Sequence, residues 1–328
     1  MLKQTSVTDR LWDKKRMQTS SSRQPIVSIG MPVFNCATTV AQAICSILNQ
    51  TFEDWELLIV DDGSTDATHE ISASFDDSRI VVIRGEENEG LPTRLNECVS
   101  MARGKYFARM DGDDIAYPSR LKCQIEFLES HAEVDLAGGW VVVFCDHGAA
   151  FGVRRGPLTH ELICAHPWRV IPMVHPTWIG KTEWFQRNPY RTDAPRTQDQ
   201  DLLLRSHRES RFAIVPKIVL GYREESLSLS KILLARRDMV KTMIRIAIEQ
   251  HRFATAALGI AALLFKGMVD TIAICTGLKY RLLRYRALAI RPEEKKEWQS
   301  VWEQGRLSFN RLESGKTVLA NPSPGSEV

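Results

Sequence analysis

Apolar positions along the first 130 residues follow two periods in turn. Ile26-Val27-Ser28-Ile29-Gly30-Met31 reads as a short buried strand. Pro32 has no N–H to give a ladder, so the chain is expected to leave the sheet there. Val40, Ile44, Ile47 and Leu48 then fall at helical spacing. Trp55 to Val60 is a second strand that runs into Asp61-Asp62-Gly63-Ser64, and Asp66 to Phe75 is a helix with Ser64 or Thr65 as N-cap. Ile80 to Ile83 is a third strand. Leu91 to Ala102 is a helix that Gly104 is expected to stop. Lys105 to Met110 is a fourth strand, delivering the chain into Asp111-Gly112-Asp113-Asp114.

Strands and helices in alternation predict a parallel sheet covered on both faces. Ligands of such sheets bind beyond the carboxyl ends of the strands, at a switch in strand order. Asn35, Asp61/Asp62 and Asp111/Asp113 all fall at strand ends, so residues far apart in sequence converge on one edge. A further helix runs from Ser119-Arg120-Leu121 to about Ser130, and Ala137 to Phe144 makes one or two strands. Beyond Asp146 the alternation weakens, with Pro157, Pro167, Pro172 and Pro176 marking irregular chain. Thr197 to His207 is helical in pattern and Ala213 to Tyr222 extended, with no internal repeat.

Composition narrows the class without choosing a function. The 328 residues are 44% hydrophobic and 25% charged, an ordinary globular balance. A formal charge of +3 gives no case for nucleic acid as a partner. Its distribution says more: residues 231–300 carry 14 Lys/Arg against 6 Asp/Glu. Seven scattered cysteines contain no CxxC pair, which favours small buried hydrophobes in a reducing cytoplasm over disulfides or zinc. Residues 1–24 are polar, lack the apolar core of a signal peptide and are expected to form a loose arm.

Asp111 and Asp113 on a tight turn offer paired hard oxygens suited to Mg²⁺ or Mn²⁺, ions that complete their shells with phosphate and water. A cation is indispensable if the ligand is a diphosphate, because carboxylates alone repel it. Set against this, Asp-Gly is a common turn pair, and a lone DxD is equally an acidic turn.

The other strand ends shift that balance. Ser28-Ile29-Gly30-Met31-Pro32-Val33-Phe34-Asn35, Ile44-Cys45-Ser46-Ile47-Leu48-Asn49-Gln50-Thr51 and Ile59-Val60-Asp61-Asp62-Gly63-Ser64-Thr65-Asp66 resemble the opening of a family 2 glycosyltransferase. Asn88-Glu89-Gly90-Leu91, Leu95-Asn96, Ala102-Arg103-Gly104-Lys105-Tyr106 and Arg109-Met110-Asp111-Gly112-Asp113-Asp114 continue the resemblance in order. It is dense over residues 26–130 and thinner to about 230. The resemblance implies a GT-A fold, a mostly parallel Rossmann-like sheet flanked by helices, and sugar transfer with inversion from a nucleotide-sugar, UDP-linked by default. It implies that Asp62 accepts a hydrogen bond from the base, that Pro32 and Asn35 shape the base pocket, and that Arg94 lies near the base or phosphates. Asp111 would lie near ribose and metal, and Asp113 would be the principal metal ligand.

Inverting transfer needs a general base for the acceptor hydroxyl. The family usually carries it in an acidic pair opening a helix, and Gln198-Asp199-Gln200-Asp201-Leu202-Leu203-Leu204-Arg205 resembles that segment. Asp199 is the expected base and Asp201 the fallback, with Gln198 standing where an acidic residue is commoner. Asp199 is also explained as a carboxylate complementing the helix dipole. His175 falls beside the expected acceptor site, where a lone histidine is more often structural. Arg223 is either a diphosphate contact or a salt bridge.

Phe253 to Phe265 is apolar over thirteen residues and Lys266 and Asp270 then intervene, which falls short of the about 20 residues of a spanning helix. Arg281, Arg284, Arg286 and Arg291, interleaved with Leu282, Leu283 and Tyr285, suit anionic lipid headgroups. Two readings stand for residues 253–291: a hairpin packed on the catalytic domain, or a membrane-surface contact compatible with a lipid-linked rather than a free glycan acceptor. The expected organisation is an arm (1–24), a GT-A domain (25–230, with its nucleotide-sugar half at 25–130 and its acceptor half at 131–230), a basic helical extension (231–310) and a disordered tail (311–328). A sugar-nucleotide nucleotidyltransferase would need a glycine-rich basic loop that residues 30–40 lack. A receiver domain would leave Asp111, Asp113 and Asp199 unexplained, and a dinucleotide enzyme lacks its GxGxxG. A non-catalytic scaffold of the same fold remains as the alternative.

Overall fold

The computed structural model describes residues 24–168, 170–224, 229–276 and 287–313. The nucleotide half runs β1 (Val27–Val33), α1 (Val40–Leu48), β2 (Trp55–Asp61), α2 (Thr68–Ala73), β3 (Ile80–Arg84), α3 (Leu91–Met101), β4 (Tyr106–Arg109), β5 (Ile115–Ala116) and α4 (Arg120–Ser130). There follow β6 (Leu136–Phe144), β7 (Ala150–Arg154), α5 (His160–Ile163), a 3-10 turn (His175–Thr177), β8 (Ile179–Lys181), α6 (Thr182–Arg187), α7 (Gln198–Ser206) and β9 (Phe212–Arg223). Helices α8 (Leu229–Gln250), α9 (Phe253–Cys275) and α10 (Pro292–Glu313) complete the described chain.

One sheet in the order β3-β2-β1-β4-β8-β6-β9-β5, with β7 paired to β6, forms the body. β1 to β4 are parallel, whereas β8 is antiparallel to both β4 and β6. Alternate residues of β2 serve two cores. Leu57 and Ile59 pack with Val40, Ile44 and Ile47 of α1. Leu58 and Val60 pack with Leu95, Cys98 and Phe107 on the other face. The chain steps outward from β1 to β2 and β3, then returns to place β4 on the other side of β1. The switch in strand order therefore lies between β1 and β4.

Three local expectations are corrected. β1 does not stop at Pro32 but continues to Val33. The Ile26 and Gly30 carbonyls accept from Tyr106 and Met110, so even-numbered residues of β1 face β4. β4 ends at Arg109, so the N–H that Pro32 lacks has no ladder partner to miss. The second helix begins only at Thr68, where Asp66 Oδ1 takes the Thr68 N–H at 3.0 Å; Ser64 and Thr65 instead bond to Asn35. Gly104 is no helix stop, since α3 closes at Met101 with Ala102 extended. Gly104 serves close approach: a Cβ there would lie 2.6 Å from the Ser28 nitrogen.

The C-terminal third is not one extension. α8 and α9 form a hairpin against α7, and α9 runs unbroken beyond the thirteen-residue apolar run, through Lys266 and Asp270. Asp270 fits because it is buried and ion-paired with Arg236 of α8. α10 returns to the far side of the sheet, where the buried Trp298 packs on Phe144 and Tyr117 and donates to the Gly148 carbonyl at 2.8 Å. Residues 1–23 of the arm, the basic stretch 277–286 and the tail from 314 lie outside the described residues; 311–313 belong to α10.

Candidate active site

The loops after β1, β2 and β4 meet at the switch point. Asn35 adopts φ +48°, an uncommon conformation that asparagine tolerates better than most residues. Its N–H donates to Ser64 Oγ at 2.9 Å while its side-chain oxygen accepts from the Thr65 N–H at 2.9 Å, locking the first two loops together. Thr39 donates to the Gly112 carbonyl at 3.0 Å, tying the third loop to the first. Phe34, beside Asn35, is 46% exposed, an aromatic face left open at the strand edge. Pro32 lies buried in β1 beneath this rim.

Asp62 is buried and well occupied. Oδ1 accepts from the Glu89 N–H at 2.8 Å and from Arg94 Nε at 2.7 Å, and Oδ2 accepts from the Gly90 N–H at 2.9 Å. A carboxylate has about four lone-pair sites, so one on Oδ2 is left for a ligand. Arg94, expected near base or phosphates, is turned inward. Besides Asp62 it donates to Glu97 at 2.9 Å and 3.0 Å and to the Glu87 carbonyl at 2.7 Å, so its place in the site is as the clamp on Asp62.

Asp111, Asp113 and Asp114 bring carboxylate oxygens within 4.8 Å of one another. Burial, then the Asp111 carboxylate, push the Asp113 carboxyl up to about 6. Burial and both neighbours hold Asp114 well above the usual carboxylate range. Asp114 Oδ1 accepts from the Arg223 N–H at 2.9 Å, while its buried Oδ2 has no hydrogen-bond partner among the described residues. Crowded hard oxygens with raised proton affinity and one orphaned atom fit a divalent cation, which would take the protons' place. Arg223 lies behind them, donating to the Asp113 carbonyl at 2.8 Å, Asp146 at 3.0 Å and Gln42 at 3.2 Å. That is a clamp on the acidic loop, closer to the salt-bridge expectation than to a diphosphate contact.

α7 and the 3-10 turn carry the acceptor-side candidates Asp199 and His175, both within electrostatic reach of Arg109. Asp199 is half-buried, and desolvation raises its carboxyl above the ordinary value against the opposing pull of Gln200 and Arg109. Asp201, two residues on, is fully buried, accepting from Arg205 Nε at 2.7 Å and pairing with Arg191 at 3.4 Å. The structure thus separates the two candidates: Asp199 is the accessible one. Gln198 is buried with its side-chain oxygen unpartnered among the described residues. His175 Nε2 lies 2.9 Å from the Tyr190 hydroxyl, with the ring edge-on to Trp178. Burial and then Arg109 hold its pKa well below 6.5, so the imidazole is neutral.

Sequence reasoning overlooked two arginines. Arg109 is buried with an ion pair to Asp111, and its Nε and Nη1 have no hydrogen-bond partner among the described residues. Arg120, also buried, donates to the Arg109 carbonyl at 2.6 Å and the Pro176 carbonyl at 2.9 Å, joining the end of β4 to the His175 turn. An arginine inside the run Tyr106-Phe107-Ala108-Arg109-Met110 was the available signal. Asn96 and Tyr190 were likewise unassigned; Asn96 clamps both backbone groups of Tyr190, at 2.8 Å and 2.9 Å.

Comparison with known proteins gives a consistent result. The family model described as "Glycosyl transferase family 2" matches residues 28–192. Putative glycosyltransferase EpsE of Bacillus subtilis is 43% identical over 133 residues, 40% of this chain and 46% of that protein. Uncharacterized glycosyltransferase MJ1057 of Methanocaldococcus jannaschii is 31% identical over 207 residues, 61% of this chain and 71% of that protein. The UDP-Glc:alpha-D-GlcNAc-diphosphoundecaprenol beta-1,3-glucosyltransferase WfgD of Escherichia coli is 38% identical over 103 residues, 31% of this chain and 41% of that protein. The chain thus spans less than half the length of EpsE and WfgD. Among solved structures, S. aureus TarS 1–349 with UDP-GlcNAc aligns at TM-score 0.59 and 18% identity, over 85% of this chain and 80% of that one. Mannosyltransferase PcManGT of Pyrobaculum calidifontis, with GDP-Man and Mn²⁺, aligns at 0.53 and 14%, over 90% and 94%.

Proposed function

The chain belongs to glycosyltransferase family 2 and has its GT-A fold, and on that premise we propose that it is a metal-dependent inverting transferase. The donor is a UDP-sugar and the acceptor a glycan or lipid-linked glycan of cell-surface polysaccharide synthesis. The observation that carries this reading is the clustered carboxylates of Asp111, Asp113 and Asp114 at the strand-end edge that also bears Asn35 and Asp62, with Asp199 within electrostatic reach of Arg109, the ion-pair partner of Asp111. UDP is favoured because TarS 1–349 forms complexes with UDP and UDP-GlcNAc and WfgD is a UDP-Glc transferase. The GDP-Man complex of PcManGT keeps GDP as an outcome to test. A lipid-linked acceptor, of the kind in WfgD's name, sets the reaction in the cytoplasm at the inner face of the membrane.

The residues divide the work. The open lone pair of Asp62 takes an N–H of the base, whose ring stacks on Phe34 while Pro32 and Asn35 wall the pocket. Asp113, with Asp111, would hold Mg²⁺ or Mn²⁺, which when bound neutralises the charge of the leaving diphosphate. Asp199 accepts the proton of the acceptor hydroxyl as its oxygen bonds to the anomeric carbon and the bond to the diphosphate breaks on the opposite face. Its partial desolvation raises its basicity for that task. His175, neutral and bonded to Tyr190, orders the acceptor side and takes no part in the proton transfer.

Asp199→Asn tests the division. Donor binding by calorimetry should stay within about twofold, and transfer should fall by about 10²–10⁴, the usual contribution of a general base. Transfer at the wild-type rate would remove Asp199 from the mechanism. Donor binding with no transfer by the wild-type chain to any glycan acceptor would favour the non-catalytic scaffold.

A further inference from the structure

α9 is apolar on nearly every side, yet the body covers only a stripe of it. Gly259 meets the Trp168 carbonyl and Met243, Gly267 meets Arg236, and the buried Asp270 pairs with Arg236. These contacts seat the helix along its length on α8. Away from that stripe Phe253, Leu258, Leu264, Phe265, Met268 and Ile272 are each 54% to 67% exposed. Over Phe253–Ala273 mean hydropathy is 1.6, and only 11% of the most apolar window is buried. A helix apolar all round is normally enclosed by protein or lipid.

We propose that the α8–α9 hairpin is a membrane seat, with α9 lying in the plane of an anionic lipid surface and the exposed basic side chains of α8 at its rim. Three observations select this occupant. Residues 229–275 hold 7 Lys/Arg against 3 Asp/Glu, and Arg237 and Lys241 of α8, 58% and 65% exposed, share the one Asp238 carboxylate, which leaves a net positive rim complementary to anionic headgroups. A second copy would bring two such basic rims together, which counts against self-association. α9 lies flat because its support is anchored: α8 is tied to the body by Arg196–Asp238 at 2.9 Å, Thr197–Thr242 at 2.8 Å and Arg245–Asp193 at 2.7 Å. Crossing a bilayer would strip α9 from that support and leave Asp270 unpaired in hydrocarbon.

Arg196 and Thr197 immediately precede Gln198-Asp199, so the seat backs the turn that presents the proposed base. Resting on the transferase reading above, this places the acceptor's approach beside the bilayer. The test is co-sedimentation of the full chain with phosphatidylcholine vesicles, with and without about one quarter phosphatidylglycerol, at low and high salt. Binding should require the anionic lipid, weaken with salt, and fall about tenfold in Leu264→Glu/Phe265→Glu, while UDP and Mn²⁺ binding and the thermal melt stay unchanged. Failure of the wild-type chain to sediment with anionic vesicles at low salt would overturn the proposal. So would a dimer, seen by light scattering, that the double substitution dissolves without vesicle binding. Asp113→Ala should sediment like wild type, so an inert enzyme that still binds vesicles counts against the transferase reading and not against the seat.

Discussion

Asp113 is poised between a proton and a cation. Its carboxyl, raised to about 6 by burial and Asp111, is mostly ionised at pH 7 and mostly protonated at pH 5. Mn²⁺ must displace that proton, so its affinity should fall about tenfold from pH 7 to pH 5, measurable by calorimetry. The sign for stability is opposite. A carboxyl whose folded pKa lies above its unfolded value binds protons more tightly when folded. In metal-free protein this group therefore adds stability as pH falls through 6, and Asp113→Asn should remove that pH dependence from the melting temperature. Arg94→Met makes a different demand. It leaves the buried Asp62 without its countercharge and should destabilise the fold by about 3–5 kcal/mol in urea titrations, with Arg94→Lys losing less. The acidic residues of the site were legible in the sequence because they recur at several strand ends of one alternating pattern, which a lone acidic turn does not explain. Arg109 and Arg120 were not, and Arg94 was singled out without its partner Asp62, because an arginine's role is set by what its long side chain reaches, and these partners lie up to 56 residues away.

Elements fix which of two similar residues is available. Successive helix positions turn by about 100°, so Asp199 and Asp201 point to nearly opposite sides of α7. Spacing alone offered both; the ion pairs with Arg191 and Arg205 reveal which one faces the body. Long, well-patterned elements were readable, and β2, α1, α3 and α4 match their expected bounds closely. β5 and β8, of two and three residues, are too short to show a period, and they exist because β9 and β4 offer them edges. α9 continues past the thirteen-residue apolar run because Asp270 within it is paired with Arg236 of α8, a contact that the sequence pattern does not show. Close approach makes its own prediction. Gly104→Ala would drive a Cβ against the backbone of β1 and should cost about 1–3 kcal/mol, read as a lower urea midpoint with unchanged slope.

At the scale of the molecule, the switch between β1 and β4 is what turns scattered acidic residues into a site. The parallel half of the sheet was legible from its alternation. In the mixed half β6 and β9 were legible as Ala137 to Phe144 and Ala213 to Tyr222, whereas the short β5 and β8 were not, because they answer to their neighbours rather than to their own pattern. α10 joins the two by packing Trp298 behind β6 and β9, near the Arg223 that clamps the acidic loop. A ligand held at this junction should stabilise the whole body: at a hundredfold excess over its Kd, UDP-sugar with Mn²⁺ should add about 2.7 kcal/mol and raise the melting temperature by several degrees. The most direct test of the central claim is calorimetric binding of UDP to the wild-type chain and to Asp113→Ala, with and without Mn²⁺. Binding that requires Mn²⁺ in the wild type and is lost in the folded variant is the predicted result; equal binding without the metal, or undiminished binding by the variant, would contradict it.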